Sequence, residues 1–125
     1  MNSLELRNDI EKGLLKSHID IGAQSKYEYQ SRLLTNDKTQ KTKVLTSIVN
    51  ELRACNEFYF SVAFVTNSGV ATLINTLKEL EDKGIKGKIL ASQYQNFTEP
   101  RALERLLEFK NIQLKIVTEG NFHAK

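Results

Sequence analysis

The last residues of the sequence place a histidine and a lysine two positions apart, in Phe122-His123-Ala124-Lys125. In an extended strand the side chains of residues i and i+2 point to the same face, so His123 and Lys125 can converge on one small anionic group. An imidazole can attack phosphorus or move a proton, and an ammonium group supplies fixed positive charge for phosphate oxygens. The pair therefore suggests phosphate chemistry. A chance pairing is the simpler interpretation of the tripeptide alone, because the chain has 18 lysines and arginines.

Two polar segments that begin helices are further candidates. Asn67, Ser68 and Gly69 follow an apolar run and precede a helical pattern, and Thr98 stands two residues before Pro100. The free N–H groups and the positive dipole end of a helix N-terminus suit a phosphate. We take Asn67, Ser68, Gly69 and Thr98 as candidate substrate-binding residues, with plain helix capping as the alternative.

The composition is that of a soluble protein with one hydrophobic core. The 125 residues are 40% hydrophobic and 26% charged, with one proline and six glycines, which excludes collagen-like and low-complexity classes. The net charge of +3 permits a nucleic-acid partner without requiring one. Cys55 is the only cysteine, so we expect a core residue and neither a disulfide framework nor a thiolate metal site. No apolar run is long enough for a membrane span, and we expect a cytoplasmic protein with no membrane contact.

Hydrophobic periodicity predicts alternating helices and strands. Residues 38–55 carry apolar side chains at helical spacing after Asn36 or Asp37 as N-cap, and residues 58–65 resemble a central strand covered on both faces. The pattern continues with a helix from Thr66 or Asn67 to Gly84, a strand at 88–91 and a helix capped by Thr98. A strand at 112–117 follows, then a turn at 119–121 and a fourth strand that begins at Phe122.

This order predicts an α/β fold with a layered, mostly parallel sheet and flanking helices. Ligands in such sheets usually lie beyond the carboxyl ends of the strands, which here means residues 66–69 and 92–98. We divide the chain into an N-terminal helix and lead-in, 1–30, and an α/β domain, 31–125. Because the last strand is cut short, we expect the chain to be a fragment.

Lysines and aromatic residues near these elements leave two interpretations open. Lys83, Lys86 and Lys88 flank a helix end and a turn, where they are either a solvated surface or contacts to a DNA backbone. Tyr94 and Phe97 lie in a polar loop, where they either anchor the loop in the core or stack on bases.

Several segments together resemble one family. They are Arg32-Leu33-Leu34-Thr35-Asn36, the run from Phe58 to Val70, Leu73 to Leu80, Asn96-Phe97-Thr98-Glu99-Pro100 and Phe122-His123-Ala124-Lys125. The chain is similar over roughly residues 30–125 to the N-terminal phospholipase-D-like domain of bacterial DEAD/DEAH-type helicases linked to restriction and DNA repair. His123 and Lys125 match the first two positions of that superfamily's His-x-Lys signature, and the signature's Asp lies beyond Lys125.

The resemblance implies a phospholipase-D-like half-domain, truncated at the strand of the catalytic motif. It implies a phosphodiester hydrolase that acts on DNA through a histidine nucleophile and needs no cofactor of its own, with ATP and Mg²⁺ used by the helicase region. It also implies a homodimer, a helicase domain in cis and an inactive fragment. Two alternatives remain: a non-catalytic DNA-binding or scaffold module of the helicase, and a plain α/β interaction domain in which His-x-Lys is accidental.

Overall fold

The computed structural model of the protein describes residues 2–120, so the fourth strand expected at Phe122 lies outside the described residues. The chain forms two compact units, the first ending at Val44 and the second beginning at Leu45. The sequence analysis placed a boundary at 30/31, and that division into domains stays a prediction.

The first unit is built on helix α1, Ser3–His18, which packs against a short 3-10 helix, Tyr27–Tyr29. Asn2 and Glu5 form a reciprocal capping box at the N-terminus of α1, which satisfies backbone N–H groups that the helix leaves free. A Cβ atom on Gly13 would lie 2.0 Å from the carbonyl oxygen of Tyr29. Only glycine therefore allows the two backbones to approach this closely.

Helix α2, Val44–Ala54, is shorter than predicted, and the expected start at residue 38 is wrong. Asp37 and Thr42 exchange two backbone hydrogen bonds, and the Asp37 carboxylate also accepts from the backbone N–H groups of Thr39 and Gln40. Local bonding of this kind competes with helix formation. Asn36 nevertheless acts at the helix start, because its side-chain oxygen accepts from the Val44 N–H at 3.0 Å.

The second unit contains a parallel sheet of three strands in the order β1, β2, β3. The strands are β1, Glu57–Val62, β2, Lys86–Ser92, and β3, Ile112–Val117. This confirms the α/β class and the parallel sheet, and the bounds of β3 match the prediction. Strand β1 stops before residue 65, and β2 begins before residue 88.

Helix α3, Asn67–Asp82, connects β1 to β2, and helix α4, Pro100–Leu107, connects β2 to β3. The Thr66 side chain caps α3 by accepting from the Gly69 N–H, as predicted. Gly84 has a φ of +69°, which lets it end α3 in the left-handed conformation that glycine adopts readily. Pro100 occupies the first turn of α4, where its missing N–H costs no hydrogen bond.

One face of the sheet carries the hydrophobic core. Phe58, Ile89 and Ile112 from the three strands pack in one cluster with side chains of all three helices of this unit. The helical members that are buried are Leu52, Val70, Leu77, Leu80, Ala102 and Leu106.

The other face of the sheet is exposed except towards the carboxyl ends of the strands, where Ser92 is buried. The expectation that β1 is a central strand covered on both faces is wrong for the described part of the sheet. Strand β1 pairs only with β2 among residues 2–120, and its burial alternates along the strand. Phe58 is 5% exposed, whereas its neighbour Tyr59 is 62% exposed. The outer side of β1 carries Glu57, Tyr59 and Ser61, so one side of the strand is apolar and the other meets solvent.

The contact between Phe58 and Gly87 supports a stability prediction. These residues are register partners, and a Cβ atom on Gly87 would lie 2.0 Å from the Cζ atom of the buried Phe58 ring. Gly87→Ala should lower the free energy of unfolding by about 1–3 kcal/mol, because the ring would have to leave a packed site. Urea denaturation measures this change.

A double-mutant cycle provides the control. In a Phe58→Leu background the smaller side chain leaves room for the new methyl group, so Gly87→Ala should cost less there than in the native chain. Equal costs in the two backgrounds would contradict the proposed clash.

Candidate functional site

The carboxyl edge of the sheet brings together the two segments that the sequence analysis selected. The chain after β1 and the chain after β2 are joined by hydrogen bonds between Val65 and residues Thr98 and Glu99. Asn67, Ser68, Gly69 and Thr98 therefore lie in one neighbourhood, as parallel strands require. Whether they bind substrate stays a prediction.

Thr98 connects the two strand ends instead of capping α4 as expected. Its hydroxyl donates to the carbonyl of Ser92 at the end of β2 and accepts from the Val65 N–H at 3.3 Å. The N-cap position of α4 is held by Glu99, whose own side chain makes no capping bond to this helix. The expectation that Thr98 caps α4 is wrong, because tertiary partners use both hydrogen-bonding capacities of its hydroxyl.

Glu99 fills the N-terminus of α3 with an anion from the protein itself. Its carboxylate accepts from the backbone N–H of Asn67 at 2.8 Å, and its own N–H donates to the carbonyl of Val65 at 2.9 Å. A carboxylate at a helix N-terminus is stabilised by the free N–H groups and by the helix dipole. Any phosphate that contacted the Asn67 N–H would have to displace Glu99.

The polar side chains at this edge mostly contact one another. Arg105 of α4 donates to the side-chain oxygen of Asn67 at 2.8 Å, and the hydroxyls of Ser68 and Thr66 lie 3.2 Å apart. The buried Ser92 hydroxyl donates to the Ala63 carbonyl at 2.6 Å. Local sequence patterns do not report the Arg105–Asn67 and Ser92–Ala63 contacts, because these partners lie 38 and 29 positions apart.

The aromatic residues of the loop after β2 also find partners. The ring of Phe97 packs edge-on against Phe64, with 5.5 Å between ring centroids, although Phe97 is 51% exposed. Tyr94 begins a 3-10 helix, Tyr94–Asn96, and is half-buried. Phe97 therefore packs on another exposed ring and not in the core, and the choice between loop anchoring and base stacking stays open.

The proposed catalytic pair, His123 and Lys125, lies outside the described residues, so its geometry is not part of the structure. Strand β3, which precedes the pair in the sequence, ends at Val117 on the same carboxyl edge. Within residues 2–120 no group of three or more histidine, cysteine, aspartate or glutamate side chains is arranged to hold a metal ion. The expectation that the domain needs no metal stays a prediction. None of the helices in this part of the chain is long and apolar enough to cross a membrane.

Sequence reasoning missed the exposed face of the sheet. We call it the basic face and define it by the exposed residues Glu57, Tyr59, Ser61, Lys86, Lys88, Gln113 and Lys115. The available signal was period-two alternation, because polar residues occupy every second position in β1 and in the first part of β2 and β3. The sequence pattern predicts a strand only from Lys88, whereas the structure places Lys86 in the same strand, β2.

Electrostatics on the basic face centre on Tyr59. Its hydroxyl donates to the Glu57 carboxylate at 2.9 Å, and the ammonium group of Lys88 lies 5.6 Å from its ring centroid. The hydrogen bond to Glu57, together with the negative charge of that carboxylate, raises the pKa of the Tyr59 hydroxyl above its usual value. The hydrogen bond to Glu57 and the contact with Lys88 hold the ring in a defined position.

A scan against protein-family models found no match, and no curated protein matches the chain. The resemblance to phospholipase-D-like domains therefore stays a hypothesis that rests on the quoted segments.

Thr98 provides a test of how the carboxyl edge is held together. Thr98→Val keeps the shape of the side chain but leaves the Val65 N–H and the Ser92 carbonyl without the hydroxyl. We expect the free energy of unfolding to fall by about 1–3 kcal/mol, measured by chemical denaturation. Thr98→Ser retains the hydroxyl and should cost less. If Val were tolerated as well as Ser, the hydroxyl bridge would not hold the edge together.

Proposed function

We propose that this chain is part of a phosphodiester-hydrolase, nuclease-like module of a DNA helicase, with His123 as the nucleophile. The observation that carries the proposal is where the His-x-Lys pair follows the sheet in the sequence. β3 ends at Val117 on the edge that also holds residues 66–69 and 98, and the His-x-Lys pair begins six residues later in the sequence. Active sites in open parallel sheets usually lie beyond this edge. The α/β class and the parallel sheet agree with the fold that the resemblance implies.

In the proposed reaction an imidazole nitrogen of His123 attacks phosphorus, forming a P–N bond as the bond to the leaving oxygen breaks. A second histidine, from a second copy of the motif, protonates the leaving oxygen. Water then attacks the phosphohistidine and frees His123. Lys125 and its equivalent in the second copy hold the non-bridging oxygens, where fixed positive charge stabilises the developing negative charge.

The reaction requires a second copy of the motif, and we propose that a second chain supplies it in a two-fold homodimer. The helicase region would lie in cis in a longer protein and would use ATP and Mg²⁺. The chemistry of this module would require no metal, because a histidine nucleophile does not depend on a metal-bound water. Asn67–Gly69 would contribute through groups that Glu99 leaves available, such as the Ser68 hydroxyl, and Thr98 would contribute by holding the two strand ends in place.

The test is cleavage of DNA by the full-length protein in EDTA and without ATP. His123→Ala should lower the rate by about 10³-fold or more, and Lys125→Ala should also be severe, because each removes a group that acts in the transition state. His18→Ala is the matched control and should leave cleavage unchanged, since His18 belongs neither to the His-x-Lys pair nor to the segments at the carboxyl edge. Residues 1–125 alone should not cleave DNA.

Binding of DNA without cleavage would favour the alternative function, a non-catalytic module. If the full-length protein binds DNA but never cleaves it, and His123→Ala leaves its cellular phenotype intact, the chain is a DNA-binding or scaffold module. Cleavage that is unchanged in His123→Ala would contradict the assignment of the nucleophile.

A further inference from the structure

The basic face is a flat surface of polar and cationic side chains on three adjacent strands. Tyr59 and Lys88 are register partners, and Lys88 is in turn the register partner of Gln113. Two residues further along, Ser61, Leu90 and Lys115 share the next level. A shallow depression of about 390 Å³ crosses these two levels, with half-buried Leu90 near its centre.

The charge on this surface is predominantly positive. Lys86, Lys88 and Lys115 contribute three ammonium groups, none of which makes an ion pair with a residue in the range 2–120. Glu57 is the one acid on the strands of this face, and its carboxylate already accepts from the Tyr59 hydroxyl. The surface is therefore complementary to an anion with several charges.

The lysines are ordered along the strands. Lys86 and Lys88 are two residues apart on β2, and Lys115 is the register partner of Leu90, two residues further in the same direction. Each step is therefore about 6.6 Å along the strand axis. The row leads from the amino ends of the strands towards the carboxyl edge.

The side chains disfavour a second apolar layer on this face. Covering it with an apolar layer would remove three ammonium groups from water without ion-pair partners, and burying unpaired charge is strongly unfavourable. An extended polyanion can instead contact lysines at their tips while the stems stay hydrated. Tyr59 adds an aromatic ring that is 62% exposed and is fixed by Glu57 and Lys88.

We propose that the basic face binds single-stranded DNA. Phosphates contact Lys86, Lys88 and Lys115, and an unpaired base stacks on Tyr59. Stacking on an exposed aromatic ring needs a base that is free of its own duplex, and lysines beside such a ring follow the backbone. The choice of DNA over RNA rests on the proposed function, whereas the preference for a single strand rests on Tyr59.

The experiment measures fluorescence anisotropy of a short labelled oligothymidylate with the native chain and with His123→Ala, at several salt concentrations. Lys88→Gln combined with Lys115→Gln should weaken binding about tenfold. It should also reduce the slope of log K against log salt by about 1.4, because each lost phosphate contact on a single strand contributes about 0.7. Lys12→Gln combined with Lys78→Gln removes the same charge from helices α1 and α3, and should leave both quantities unchanged.

Tyr59 tests stacking separately. Tyr59→Ala should weaken binding about fivefold or more, whereas Tyr59→Phe keeps the ring and should bind as the native chain does. Tyr59 is at the surface, and a thermal unfolding scan confirms that both Tyr59 variants are folded.

Four outcomes would overturn the proposal. The first two are that the chain does not bind the oligothymidylate, or that the two double-lysine variants lose the same affinity for it. The other two are that the chain binds a duplex or an oligoribonucleotide of matching sequence more tightly than the single-stranded DNA, or that it self-associates through this face in a way that Tyr59→Ala abolishes. The full-length protein separates the two proposals. If it binds DNA through the basic face but never cleaves it, the nuclease is rejected and the basic face is kept. If it cleaves DNA and the lysine and tyrosine changes leave both binding and cleavage unchanged, the basic face is rejected and the nuclease is kept.

Discussion

Consecutive crossovers in one direction determine the layout of the second unit. The strand order β1-β2-β3 follows the chain, and parallel crossovers in proteins are almost always right-handed. Two such crossovers that advance the same way place α3 and α4 on the same face. The core contains residues of α2, α3 and α4 against Phe58, Ile89 and Ile112, all on that face. These crossovers place no helix on the opposite face, and the polar side chains of that face are consistent with exposure to solvent.

At the carboxyl edge, the parallel topology creates an anion site that the protein fills with one of its own side chains. The N-terminus of α3 attracts an anion, and Glu99 supplies one from the start of the next helix. The Thr98 hydroxyl bonds to the ends of two strands at once. These contacts make the edge a defined platform beside the end of β3. They also mean that the backbone groups of this platform are largely engaged, so the proposed chemistry depends on groups beyond it, with His123 and Lys125 foremost.

The two proposals concern different parts of the sheet and use different physics. At the carboxyl edge, a nucleophile and a cation would act on one phosphorus atom, where geometry decides the rate. On the basic face, several lysines and Tyr59 would hold a longer stretch of strand, where charge and stacking decide the affinity. The row of lysines runs towards the carboxyl edge, so a DNA strand bound on the basic face would lead to the proposed reaction centre.

Local pattern alone determined much of the second unit. Periodicity located α3, β3 and the α/β class, and Thr66, Gly84 and Pro100 marked helix ends through the conformations and hydrogen bonds that those residue types favour. The start of α2 was misplaced because the Asp37 side chain and the backbone pairing with Thr42 stabilise a turn that a hydrophobic pattern does not register.

Only the tertiary structure decided which face of the sheet is covered, and which partners Thr98 and Glu99 have. Burial on one face depends on crossover handedness and strand order, and a run such as 58–65 is compatible with either arrangement. The contacts of Glu99 with Asn67, and of Lys88 with Tyr59, join residues 32 and 29 positions apart. Such pairs form because strands align side by side, which is a property of the assembled sheet and not of any local segment.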